Sequence, residues 1–249
     1  MTPFDPSPAT AARARGRLTA YARWQLLDYA VPMGITSIAI GILLGMPLFL
    51  ASSGGDVGPG VDITLLEQSA AGTLAFLAVL LATQRMVAGD RIAGYYRFYF
   101  SKPVHVVAFY AQKFAVYGIG VLLAGCVLWL LARLSGTHID GLALLGYFAV
   151  AYVALGGLAL LCSVLFRFDW TIVVALWLAS SVLHVVAAFR GWPLWPLRVL
   201  PPVGELDIVR GALFAGQMPD TAALLWVVGY GVAAIALALA ALTRRSLAA

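Results

Sequence analysis

The amino-acid sequence predicts an all-α integral membrane protein with six transmembrane helices, and three observations predict it. Of its 249 residues 62% are apolar and only 11% are charged, with a mean hydropathy of +0.93, a balance suited to lipid as the main solvent. Apolar runs of about 20 residues, the length that crosses a hydrocarbon core, occupy 30–50, 69–87, 107–132, 141–166, 170–189 and 221–242. These runs are continuous and rich in Leu, Ala and Val rather than alternating, which argues against a closed barrel. Helices satisfy their own backbone hydrogen bonds in lipid. With the length used up by six spans, 29–249 reads as one domain without a large soluble part.

Residues 1–28 contain Arg13, Arg15, Arg17 and Arg23 but no apolar core, so they are not a cleavable signal peptide. On a helical wheel the arginines scatter around Leu18, Tyr21, Trp24 and Leu26. A basic lead-in near anionic headgroups and a disordered Pro3 to Ala12 both fit. In the first span Gly41 and Gly45 form GxxxG, and Gly156-Gly157 lie in the fourth; such small residues mark close helix contacts.

Orientation follows from the basic residues. If both termini share a side, that side carries 12 of the 16 Lys and Arg residues, including Arg85, Arg91, Arg97, Lys102 and Lys113. Arg133, Arg190, Arg198 and Arg210 fall on the other. Both termini and residues 90–113 are therefore expected in the cytoplasm.

The tract 90–113 is the strongly polar and aromatic interruption between two long apolar runs. A helix from Asp90 to Phe100 would put Ile92, Tyr95, Tyr96 and Tyr99 on one side, toward the membrane interface, and Asp90, Gly94 and Arg97 on the other, toward water or a partner. Pro103 ends that helix and can begin the next. From periodicity alone, an ordinary interfacial loop helix anchored by tyrosines fits as well.

Ionisable groups near span ends, Asp28, Asp169, His105, Arg133 and Arg167, are expected to snorkel or pair at the interface. His184 lies deeper, beside Ser180 and Ser181, and either hydrogen-bonds across helices or lines a path, with interhelical bonding favoured. Cys126 and Cys162 have no neighbour at metal-ligand spacing and read as packing residues. Between the last two spans, Trp192, Trp195, Pro201 and Pro202 precede a helical stretch from about Gly204 to Phe214. Leu206, Val209, Ala212 and Leu213 share its apolar side and Asp207, Arg210 and Gly211 its polar side. The pattern suits an interfacial or re-entrant element as well as an anchored surface loop.

The chain has no GxxxxGK[ST], and neither of its two lysines, Lys102 and Lys113, follows a glycine, so it carries no P-loop of its own. Nor does it show HExxH, paired intramembrane carboxylates or a Ser/His pair at a recognisable catalytic spacing, which argues against an intramembrane enzyme.

An acidic residue, a glycine four positions on, Pro-Val nine positions later and a lysine ten positions after the proline are met here by Asp90, Gly94, Pro103, Val104 and Lys113, with Ser101 at a small polar position. This pattern resembles the cytoplasmic loop of ABC-2-type ABC transporter permeases. The family commonly has Glu where Asp90 stands and Ser-Arg where His105-Val106 stand. The resemblance implies a permease of the bacterial inner membrane that pairs with a second permease, identical or different, and with two copies of an ATPase subunit holding ATP and Mg. It implies no cofactor on this chain and no nucleic-acid partner. Residues 90–100 would be a coupling helix, with Asp90, Arg91, Gly94, Tyr95, Arg97, Pro103 and Lys113 as its coupling residues. Trp192, Trp195, Pro201 and Pro202 would help close the outer end of the path. The apolar spans lean toward a lipid-like or hydrophobic cargo, and export is the direction expected with the transporter reading. A non-transporting membrane anchor in an ATPase-containing complex is the alternative.

Overall fold

The computed structural model describes residues 19, 20, 22, 23, 25–27, 34, 35, 38, 42, 63–84, 86–94, 105–134, 139–166, 169–192 and 195–244. Among them every regular element is a helix, and five stretches are long and apolar enough to cross a membrane: Ala71–Ile92, Val106–Leu134, Gly141–Leu165, Trp170–Arg190 and Thr221–Arg244. This is the arrangement of a helical multi-pass membrane protein, and the five stretches coincide with the second to sixth expected spans to within a few residues. The first expected span, with Gly41 and Gly45, lies almost wholly outside the described residues.

The elements are α1 (Ile63–Thr83), the short α2 (Ala88–Ile92), α3 (Val106–Leu134), α4 (Gly141–Ala151), α5 (Gly157–Leu165), α6 (Asp169–Arg190), α7 (Val203–Phe214) and α8 (Thr221–Arg244). One π-helical turn, Tyr152–Gly156, joins α4 to α5 into a single rod. A 3₁₀ turn, Trp195–Val199, precedes α7. The long helices run alternately up and down. Of the described residues, 84, 86–94, 105, 106, 165, 166, 169 and 244 therefore lie at one end, the Asp90 end, and 134, 139–141, 190–192 and 195–221 at the other.

The α4–α5 rod is the centre of the bundle. Of its apolar window 72% is buried, against 17% for α6 and 28% for α3 and α8. Its N-terminus is set by Asp140, whose side chain accepts from the Leu142 amide at 3.0 Å, a normal helix cap. Its most extensive contact is with α8, and glycine explains why. A Cβ on Gly157 would lie 2.6 Å from the Gly231 carbonyl oxygen, and one on Gly231 would run into the backbone of Val153 and Ala154. Gly157 thus has the close-contact role expected of it. Without a hydrophobic driving force between helices in lipid, such backbone approach is a main source of association. The rod also holds α3, because the Tyr152 hydroxyl donates to the Phe114 carbonyl at 2.5 Å and its ring stacks on Phe114 with centroids 4.7 Å apart.

Candidate functional site

At the Asp90 end the backbone leaves α1 after Thr83 and re-enters a helix at Ala88. A break of this kind exposes amides at the start of the new helix and carbonyls at the end of the old one. In an apolar setting each unsatisfied group costs free energy. Side chains from two other helices satisfy them here. Ser163 Oγ, from α5, accepts from the amides of Val87 and Ala88 at 2.9 and 3.0 Å. Lys113 Nζ, from α3, donates to the Met86 carbonyl at 2.8 Å and to Asp90 Oδ2 at 2.8 Å.

The Asp90–Lys113 pair is buried, each residue being 8% exposed. Lys113 lies seven residues into α3, about 10 Å along the helix at 1.5 Å per residue. The Tyr110 and Tyr117 rings face its ammonium with centroids at 5.9 and 5.8 Å. Met86, Val87, Phe109, Tyr110, Leu160 and Val164 form the apolar surround. Desolvating two such charges costs several kcal/mol each, roughly, and only close pairing with further hydrogen bonds offsets it. Both conditions are met, and Arg91 adds a contact to the Val164 carbonyl at 3.4 Å. The segment 86–91 is therefore tied to both α3 and α5.

This geometry corrects one expectation. Asp90 does not face water or a partner, and no single helix runs from Asp90 to Phe100. The helix ends at Ile92, with Gly94 at φ +70°, a left-handed conformation that favours glycine. That conformation breaks the helical register at Gly94. Asp90 points inward because Lys113 is there to neutralise it, and Ile92, placed with the membrane-facing tyrosines by periodicity, is 55% exposed at the tip. Tyr95, Arg97 and Pro103 lie outside the described residues.

Sequence reasoning named Asp90 and Lys113 but missed Ser163, a lone hydroxyl in an apolar run whose role depends on the α1–α2 break. Ser163→Ala strands two buried amides, so a stability loss of about 1–3 kcal/mol is expected. Thermal unfolding in mild detergent checks it, and an unchanged midpoint would show that the amides find another acceptor.

At the opposite end the structure joins two groups of expected residues. Ser180, fully buried, donates to the Pro201 carbonyl at 2.7 Å, linking α6 to the start of α7. The interhelical bond expected of His184 is thus made by Ser180. His184 Nδ1 instead lies 2.8 Å from the Ser180 carbonyl within its own helix, and Ser181 Oγ likewise donates to the Trp177 carbonyl at 3.0 Å. Pro201 and Pro202 are buried, and Pro202 immediately precedes α7. Trp192 is exposed and faces Arg190 at 5.7 Å, while Trp195 opens the 3₁₀ turn. The helix expected from Gly204 to Phe214 is α7, with Leu206 and Val209 buried as its apolar side requires. It packs on α1, α4, α6 and α8, so it closes this end of the bundle. Cys162 is buried and Cys126 exposed, both as free thiols.

Comparison of the chain with protein-family profiles, with characterised proteins and with solved structures gives no match.

Proposed function

We propose that the chain is the membrane-spanning permease subunit of an ABC transporter in a bacterial inner membrane, with ATP and Mg held by a separate ATPase subunit at the Asp90 end. The observation that supports it most is the anchoring of residues 86–91 by Asp90–Lys113 and by Ser163. ATP-driven closure of a soluble dimer can move a membrane helix only through a short element that does not yield. This segment is locked to α3 and α5, the exposed Ile92 and Ala93 form its tip, and Gly94 turns the chain out of the helix. In this role Asp90 and Lys113 transmit force rather than touch the ATPase. Contact falls to Ile92 and Ala93, and the coupling roles expected of Tyr95, Arg97 and Pro103 belong to residues outside the described ones.

The concentration of basic residues at the Asp90 end supports a cytoplasmic placement of that end. The cargo path would run through a dimer with a second permease, and a lipid-like or hydrophobic cargo fits the apolar character of the spans, with export as the expected direction. Purification from native membranes in mild detergent tests the assignment. A polypeptide with a GxxxxGK[ST] motif and ATPase activity should co-purify in equal amount. Ile92→Asp and Arg97→Glu should each reduce it at least tenfold while leaving thermal stability within a few degrees. A stable chain that brings no such ATPase, or retains it in both variants, would overturn the proposal.

A further inference from the structure

A cavity of about 500 Å³ lies between α1, α4, α6 and α7, at the end opposite Asp90. That volume is within the usual range for small-ligand pockets, roughly 300–1,000 Å³. Its walls differ in chemistry. Phe76 and Trp177, stacked with centroids 4.4 Å apart, and Leu155 make an apolar side. Tyr147, Asp207 and Arg210 make a polar one.

Arg210 is the unusual member. Its guanidinium lies directly against Gly72, where any side chain would collide with it. Nη2 meets Asp207 Oδ1 at 3.1 Å, and Tyr147 lines the same cavity. Nε is buried and has no acceptor among the described residues. The cation is the more buried partner, with 20% of its side chain exposed against 54% for Asp207. A guanidinium has five N–H donors in a fixed fork that fits phosphate or carboxylate oxygens. One half-exposed carboxylate leaves part of that capacity unused. An ionisable group in a membrane bundle whose hydrogen bonding is incomplete is a candidate ligand site.

We infer that this cavity binds a single-chain amphiphile, its phosphate or carboxylate headgroup on Arg210 and Tyr147 and its apolar part against Phe76, Trp177 and Leu155. Asp207 competes with the headgroup for the same guanidinium. The inference takes from the proposed function only that the occupant is cargo; binding itself needs no ATPase.

The test uses the full chain in phosphatidylcholine nanodiscs, with dodecyl phosphate carrying a brominated tail as the probe. Quenching of tryptophan fluorescence is read as the difference between the protein and its Trp177→Phe variant, which removes the contribution of lipid-facing tryptophans. Saturable quenching is expected, at least tenfold weaker for Arg210→Gln and several-fold tighter for Asp207→Asn, since that change removes the competitor. The opposite signs separate a ligand site from a structural ion pair, which both substitutions would weaken alike. If Arg210→Gln does not fold, the Asp207→Asn arm decides alone. The corresponding brominated alcohol should bind at least tenfold more weakly, and inorganic phosphate should not displace the probe at millimolar concentration. Equal binding of the alcohol, displacement by free phosphate, unchanged binding in Arg210→Gln or weaker binding in Asp207→Asn would each overturn the inference. Binding without any stimulation of a co-purified ATPase would leave the site standing and remove its role as a cargo site. Absence of binding alongside a co-purified ATPase would remove the site and leave the proposed function intact.

Discussion

Lys113→Met is expected to cause the largest loss of stability of any single change at the Asp90 end. It leaves the Asp90 carboxylate buried without its counter-ion and the Met86 carbonyl without its donor. Removing one partner of a buried pair costs about 3–5 kcal/mol, whereas replacing both with apolar groups of similar size is often near neutral. The double variant Asp90→Leu/Lys113→Met should therefore recover most of the loss. It should retain a deficit of about 1–3 kcal/mol from the stranded Met86 carbonyl. Melting of the four proteins of this cycle in one detergent measures the coupling. If the double variant is as unstable as the sum of the two single ones, the charges are not acting as a pair and the anchoring of residues 86–91 must come from Ser163 and the apolar surround.

Gly231→Ala is expected to have the second large effect, and a matched control lies two residues away on α8. A Cβ at Gly231 runs into the Val153 carbonyl and the Ala154 backbone, while one at Gly229 meets nothing within 4 Å. Backbone cannot move aside as a side chain can, so the first substitution must separate α8 from the central rod. Overpacking of this sort costs about 1–3 kcal/mol and occasionally more. Gly229→Ala should instead be neutral or stabilising by about 0.5–1 kcal/mol, through the greater helix propensity of alanine. Equal melting temperatures for the two variants would show that the rod and α8 are not in backbone contact.

Much of the bundle was legible in the sequence because lipid leaves the backbone little choice. A continuous apolar run must satisfy its own amides and carbonyls, so the five described membrane-length helices lie where apolar runs of about 20 residues predict them. The polar and apolar sides of α7 were legible for a similar reason, since Leu206 and Val209 recur at helical spacing and Asp207 and Arg210 are one turn apart. The site was less legible. A wheel drawn for residues 90–100 assumes an unbroken helix, and the left-handed Gly94 invalidates it. His184 reads as the interhelical donor because it lies deep in its span with no second ionisable residue at matching depth, yet Ser180 is the one that reaches the Pro201 carbonyl. Arg210 is visible as a charge, but not as a guanidinium held against Gly72, which is far from it in sequence.

By itself the amino-acid sequence determined that the chain is helical and built for a membrane, where along the chain the described membrane-length helices lie, and that Asp90, Gly94 and Lys113 belong to one interruption between them. These are properties of local composition and spacing, and they need no knowledge of neighbours. Only the tertiary structure decided that Asp90 turns inward to Lys113, that Ser163 caps a helix begun 75 residues earlier, and that Gly157 and Gly231 meet. Each depends on which helix faces which. In a chain whose spans are nearly uniform in apolar character, that choice rests on a few polar groups that must find partners and a few glycines that allow backbones to touch.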